Sequence, residues 1–305
     1  MLARTVRPLA FSFLLALVAP WLSLGAQQVN PADKQREQAE DAQESKPETR
    51  YPNTWEMPPT VVRALREGQL REEDRIGSYG QPRWTAKRLF PTTRVYVVPE
   101  GKVEFEWWTR AKVPEEGQTE VETMYELEFG LPHRFQLDLY YVTSKTGSEG
   151  ELDTREQKYE IRYALADWGE IWMNPTLYFE YVQRDAEADK VEYKLLFGEE
   201  LGEGWHFGSN LVLEHELDGA GENEYELTSG IARTVIDEKF SIGAEVKAAL
   251  TDTHADRGDY EESLEIGPSF RYQPLPQMHI DFAPLIGIGG DSRAADIFLV
   301  VGWEL

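Results

Sequence analysis

The sequence predicts an all-β fold: a transmembrane antiparallel β-barrel of about 12 strands behind a mostly disordered N-terminal leader. Three observations predict it. From about Val103 to the last residue, apolar and polar side chains alternate in segment after segment, as in Val103-Glu104-Phe105-Glu106-Trp107. Neighbouring side chains of a strand point to opposite faces, so each segment has one oily and one wet face. The wet face carries so many carboxylates that it suits a water-filled interior, which puts the oily face in lipid. Short turns separate the segments. The rival class is a soluble β-sandwich with its oily faces turned inward.

Residues 1–26 read as a secretory signal peptide. Arg4 and Arg7 form a positive start, Phe11 to Leu24 an apolar core, and Ser23, Gly25 and Ala26 a small-residue cleavage region. The apolar run is short for a membrane-spanning helix, which needs ~20 residues. Residues 27–92 read as a flexible periplasmic leader, polar and poor in aliphatics up to about Met57. Within it, Thr60 is placed to cap a short helix holding Val61, Val62 and Leu65. The stretch Ile76 to Trp84 reads as a loop that either folds back into the barrel mouth or lies below it.

The barrel is expected over 93–305. Its strands are predicted at 103–113, 119–131, 133–145, 154–166, 171–184, 188–198, 204–217, 222–234, 238–251, 260–272, 277–289 and 295–305. The short segment Arg94 to Val98 offers a thirteenth strand, but Pro99-Glu100-Gly101-Lys102 beside it reads as a lead-in turn. Alternate connections are short and flanked by aromatics, as in Leu131-Pro132-His133-Arg134, and belong on the periplasmic side. The others are longer and mostly acidic and belong outside.

Composition narrows the function. The formal net charge is −24, and losing Arg4 and Arg7 with an acid-free signal takes it to −26. That argues against nucleic-acid binding, which needs a basic surface. The chain has no cysteine, which removes disulfides and thiolate metal sites. No later stretch approaches 18 uninterrupted apolar residues, so a helical membrane protein is not expected.

One parity of each strand is the lipid face. Examples are Tyr125, Leu127 and Phe129, then Phe240, Ile242 and Val246, then Ile297, Leu299, Val301, Trp303 and Leu305. The opposite parity is the expected lumen lining: Glu104, Glu106, Arg110, Glu126, Arg134, Asp138, Glu160, Arg162, Glu180, Arg184, Lys194, Glu214, Glu245, Lys247, Arg271 and Asp281. Acids outnumber bases there. One reading is a cation-preferring pore, in which Glu126, Glu160 and Glu245 set the preference. The other is a narrow lumen filled by cross-strand ion pairs. Trp107, Trp108, Trp168, Trp172, Trp205 and Trp303 fall near strand ends, as interfacial girdles require.

The hairpin from Tyr125 to Tyr140, with its tight Gly-Leu-Pro-His-Arg turn, resembles transporter-type barrels grouped with the phenol meta-pathway outer-membrane proteins. The lead-in Pro99 to Trp108 is similar in style. The resemblance spans about 95–305 and implies an outer-membrane location and uptake of small, hydrophobic molecules. It transfers no binding residue. The last strand also resembles the terminal signal read by barrel-assembly machinery, with Leu305 in place of the usual aromatic. The expected partners are outer-membrane lipid, that machinery and a small-molecule solute.

Catalytic chemistry is not expected. A barrel lipid hydrolase needs Ser and His within reach on the lipid face, and none of the five His has Ser two residues away. Ser209 and His215 share a parity but stand ~20 Å apart along a strand. His279 and Asp281 share one inner face and read as a hydrogen-bonded pair rather than a metal pair. The acidic loop 252–262 lacks EF-hand spacing. No cofactor is implied. The functions weighed are passive passage or uptake of small solutes, hydrophobic or cationic; a non-conducting structural or anchor barrel; and a membrane lipid-modifying enzyme.

Overall fold

Alternation over this length leaves each strand with backbone donors and acceptors on both edges, and closing the sheet on itself pairs them all. The computed structural model describes residues 70–147, 154–185 and 187–305. The signal segment 1–26, the expected helix from Thr60 and the leader up to residue 69 lie outside the described residues.

Two short strands come first, β1 (Arg75–Ile76) and β2 (Gln81–Pro82), paired with each other. Then follow β3 (Val103–Val113), β4 (Glu120–Leu131), β5 (Phe135–Thr146), β6 (Thr154–Ala164), β7 (Thr176–Arg184), β8 (Lys190–Gly202), β9 (Trp205–Glu216), β10 (Asn223–Ile236), β11 (Phe240–Asp252), β12 (Glu261–Leu275), β13 (Met278–Gly287) and β14 (Ala295–Glu304). These twelve form a closed antiparallel barrel in which each strand pairs with its sequence neighbours. Closure runs between the ends of the chain's sheet, from Ala295↔Val113 to Glu304↔Glu104. No described helix is long and apolar enough to cross a membrane.

The burial pattern is inverted relative to a soluble sandwich. Glu126, Asp138 and Glu160 are buried, while Tyr193, Leu211 and Ile286 are each more than half exposed. The oily parity therefore faces outward around the wall, as in Phe135, Leu139, Tyr159, Ile161 and Phe282. Packed sheets would have covered those same residues.

One shifted strand boundary and one break in a ladder have local causes. β7 begins at Thr176 rather than 171 because the connection from β6 leaves the wall. Met173 and Asn174 take positive φ there, and Trp168 is drawn inward, its N–H donating to the Tyr79 carbonyl at 3.0 Å. The ladder between β12 and β13 is interrupted in mid-wall, between Ile266↔Ile286 and Phe270↔Phe282. Pro268 and Pro284 lie opposite each other in that interval, and neither has an N–H to give. Gly267 lets the two backbones close up, since a Cβ there would stand 2.1 Å from the Pro284 carbonyl oxygen.

The leader differs most from expectation. The first wall strand begins at Val103, as the alternation predicts, but residues 70–92 do not form a free periplasmic arm. Residues 70–102 form a plug packed against the inner wall, and Trp84, Phe90 and Val97 are almost wholly buried. The physical reason is composition: from Tyr79 onward the segment carries enough aromatic and aliphatic surface to bury, about 1.5–3 kcal/mol per large side chain. Pro99 to Lys102 is the lead-in turn, with Gly101 N–H donating to the Gly130 carbonyl at 2.9 Å.

Candidate functional site

The plug is held first at the rim. Its opening 3-10 turn, Arg71–Glu73, presents free N–H groups, and the Asp237 carboxylate accepts from Arg71 N at 2.9 Å and Glu72 N at 3.2 Å. Asp237 lies on the β10–β11 turn. In return Glu73 accepts the Gly204 N–H at 2.9 Å from the β8–β9 turn. Arg134 pairs with Asp167 at 3.0 Å at the same rim, so it braces two turns and does not face the interior.

Glu72 opposes this docking. Burial pushes its carboxyl above the ordinary range, and nearby Arg271 pulls it only partly back. A raised folded pKa means the protonated form fits better. Its contribution to docking is present below the free-chain pKa and is lost as pH rises through the raised value. Glu72→Gln is therefore expected to tighten the plug at pH 7 and to lose that advantage in acid. Relative amide protection of residues 71–74 at the two pH values measures it.

Further in, an aromatic cluster seals the space between plug and wall. Trp84 stacks on His206 of β9 with centroids 4.7 Å apart and meets Trp168 edge-on at 5.8 Å. Tyr96 meets Trp168 at 5.3 Å and donates its hydroxyl to the Ala166 carbonyl at 2.6 Å. Trp108 and Trp168 are thus interior residues, not girdle residues. Trp108 sits on the even parity of β3 and is buried, while Trp172 and Trp205 do face outward.

A row of glycines receives the plug's apolar side chains. Gly198, Gly208 and Gly230 stand side by side on β8, β9 and β10. A Cβ on Gly230 would come within 2.5 Å of the Phe90 ring, and one on Gly198 within 2.0 Å of Val95. The bare backbone makes a flat depression that no other residue would leave. Beside it Asn210 reads the plug backbone at Arg94, accepting from Arg94 N at 2.8 Å and donating to Arg94 O at 2.6 Å.

At the centre, plug arginines meet wall carboxylates. Arg88 Nε lies 2.9 Å from Glu106 Oε2, and its Nη2 lies 3.2 Å from Glu126 Oε2. The same guanidinium lies 3.8 Å over the Trp108 ring, whose indole N–H is shared by Glu106 at 3.0 Å and Glu126 at 2.9 Å. Arg94 reaches Glu126 at 2.5 Å, Glu128 at 3.1 Å and Tyr140 at 3.3 Å. Arg162 of β6 continues the network to Glu160 and, at 2.9 Å, to Asp138. Gln136 bridges Glu128 and Asp138 and accepts the Val98 N–H at 2.6 Å. Glu245 accepts the Thr92 N–H at 2.8 Å.

Glu126, Glu160 and Glu245 are therefore not open pore lining. Glu126 and Glu245 bind the plug directly, and Glu160 supports it through Tyr140 and Arg162. Replacing them would act on closure before it acted on ion preference. Nearby, His279 places Nδ1 on Asp281 and Nε2 2.8 Å from Glu104 and 3.4 Å from Glu106. The hydrogen-bonded pair expected from the sequence thus gains two further carboxylates. Gly302 leaves room for that imidazole, which a Cβ would strike at 1.9 Å. Arg271 lies 4.0 Å from Asp281 and donates to the Trp84 carbonyl at 3.5 Å.

The other half of the interior, toward the long acidic loops, is partly open and lined by ion pairs, most of them between strands. Arg110 binds Asp296 at 2.9 Å and Lys190 binds Glu214 at 2.7 Å, while Lys194 binds Glu192 of its own strand at 2.7 Å. Lys247 pairs with Glu226 at 2.9 Å, Lys158 with Glu180 at 3.6 Å and Arg184 with Glu216 at 2.8 Å. In the loop 252–262, Asp252 is taken up by Arg257, by Gly258 N at 2.9 Å and by Asn223 at 3.2 Å. Ser209 bonds Ser229 at 2.8 Å, and His215 bonds Asn223 at 2.7 Å, so the two do not meet.

Sequence reasoning missed both Arg88, which lies outside any candidate strand, and Arg94, which opens the short run to Val98 weighed as a thirteenth strand. The signal available was the acid-free run Trp84 to Tyr96, with Lys87, Arg88 and Arg94 among aromatics, ending a leader of mixed charge.

No family profile matches this sequence, and no curated protein matches it. Among solved structures, an outer membrane channel from Pseudomonas putida F1 is similar over 69% of this chain and 98% of its own, with 9% identity and a TM-score of 0.49. The NanC porin is similar over 67% of this chain and 100% of its own, with 12% identity and a TM-score of 0.46. The KdgM porin in complex with disordered oligogalacturonate is similar over 66% of this chain and 99% of its own, with 8% identity and a TM-score of 0.47. These are likenesses of fold, and the architecture described above stands on its own ladders.

Proposed function

We propose that the protein is an outer-membrane channel for small solutes whose lumen is closed, at the end where β3 begins, by residues 70–102 of its own chain. The observation that carries this is the pairing of an outward apolar face with an ionic interior occupied by a segment that is not part of the wall. A purely structural barrel could fill its lumen with wall side chains alone. Here a separate stretch of chain is seated on glycines and ion pairs, and the ion-paired side chains toward the loops remain partly exposed. The short-turn end faces the periplasm in this reading, and Ile297 to Leu305 form the strand that assembly machinery would read. The resemblance of the Tyr125–Tyr140 hairpin to the phenol meta-pathway type makes that type the finer placement.

Planar-bilayer recording tests it. The intact chain is expected to stay closed for long periods, and Phe90→Asp, which sets a charge against Gly230, to conduct in steady steps. A Phe90→Asp protein that shows heat-modifiable gel mobility yet never conducts would exclude a channel and favour the non-conducting anchor. Steady conduction by the intact chain would exclude closure. A purified chain that is monodisperse in buffer without amphiphile would remove the membrane location itself.

A further inference from the structure

Two neighbouring strands of the wall place like charges face to face. Glu106 lies directly opposite Glu126, and Glu104 opposite Glu128, in the β3–β4 register. Directly opposed carboxylates repel and weaken a sheet unless a cation sits between them. The plug supplies that cation. Arg88 lies over the Trp108 ring, 3.8 Å from its centroid, and reaches Glu106 and Glu126, and Arg94 spans Glu126 and Glu128.

We propose that Glu106, Glu126, Glu128 and Trp108 form a binding site for guanidinium-bearing small solutes, which Arg88 and Arg94 fill as internal ligands. The chemistry matches a guanidinium in particular. A planar fork bonds carboxylates two at a time and stacks on an indole, whereas an ammonium is a point charge with a heavier hydration shell. The indole N–H also fixes Glu106 and Glu126 from behind, so the acceptors are preorganised. Even with both arginines seated, buried Glu128 Oε1 has no aligned donor, although Arg94 lies 3.1 Å and Arg88 3.5 Å away. The site thus retains acceptor capacity.

Access runs from the loop side. Arg94 is the more exposed of the two arginines, 11% against 2%, so an incoming solute displaces it first. The loop-side half of the lumen draws cations toward it, since the carboxylates of Glu214, Glu222 and Glu224 gather within 4.8 Å of one another around Lys190. A solute that binds this site only when the plug has left stabilises the open state, and binding becomes the opening signal. The proposal deepens the channel reading, but occupancy of the site does not require conduction.

The test exploits the absence of native cysteine. In micelles, a Val95→Cys protein is exposed to a maleimide while L-arginine methyl ester is titrated. Labelling is expected to rise saturably by about tenfold, and to change less than about twofold with sodium chloride or tetramethylammonium at equal ionic strength. Equal effects from all three salts would mean charge screening alone and would overturn the site, as would labelling that ignores the ester. Should Val95→Cys disturb the seat between Gly198 and Gly208, hydrogen exchange over residues 88–98 of the unsubstituted chain reads the same response. Labelling that responds in a protein that never conducts would leave the site standing and remove the channel.

Discussion

Replacing Arg88 and Arg94 together by glutamine is expected to release the plug. Five buried carboxylates, Glu106, Glu126, Glu128, Asp138 and Glu160, would then keep only the Arg162 guanidinium, on Asp138 and Glu160, and the His279 imidazole, 3.4 Å from Glu106. Breaking a buried pair from one side costs about 3–5 kcal/mol, because the partner is left charged and dry. The wall cannot relax it, since Glu106 and Glu126 are fixed opposite each other by backbone pairing. Protection of the amides over residues 88–98 should fall ~10²–10³-fold, at 1.4 kcal/mol per tenfold. The wall strands keep their own ladders, so protection in β4 and β10 should change little. Loss of protection throughout the barrel would mean that plug and wall unfold together, and unchanged protection over 88–98 would mean that the ion pairs do not hold the plug. Because the network is buried, salt should do little in the unsubstituted chain.

The second large effect is steric and leaves every charge in place. Gly230→Val puts a branched side chain where a single Cβ would already lie 2.5 Å from Phe90 Cδ1 and 2.8 Å from Cε1 and Cγ of the same ring. Phe90 must leave the depression, forfeiting about 1.5–3 kcal/mol of burial. Gly208→Val would do the same to Val95, at 2.9 Å. The backbone of β9 and β10 at these positions pairs normally, so the barrel should keep its heat-modifiable mobility while the plug loses protection. Phe90→Ala should restore docking in the Gly230→Val background although it weakens docking alone. Such a sign change in a double-mutant cycle would show direct contact. Additive losses would place the effect elsewhere.

Much of the wall was legible because a strand repeats every two residues and lipid imposes one chemistry on one parity. The predicted 103–113 coincides with β3, and most other boundaries fall within a few residues of the observed strands. The parity rule also put Glu106, Glu126 and Arg162 inside, each from its own local alternation. It misplaced Trp108, because proximity to a strand end was weighed above parity. It also said nothing of Gly198, Gly208 and Gly230. They lie on three strands and are neighbours only through register, so no window of sequence contains them together.

What the sequence determined by itself is the zigzag of oily and wet residues, the turn chemistry and the strand count, since these depend on near neighbours along one chain. Only the tertiary structure decided that the end of the leader lies within the barrel. A segment docks where its side chains find cavities and counter-charges of matching shape. Those are made by residues such as Glu126, Asn210 and Gly230, far away in sequence and brought together only when the sheet closes.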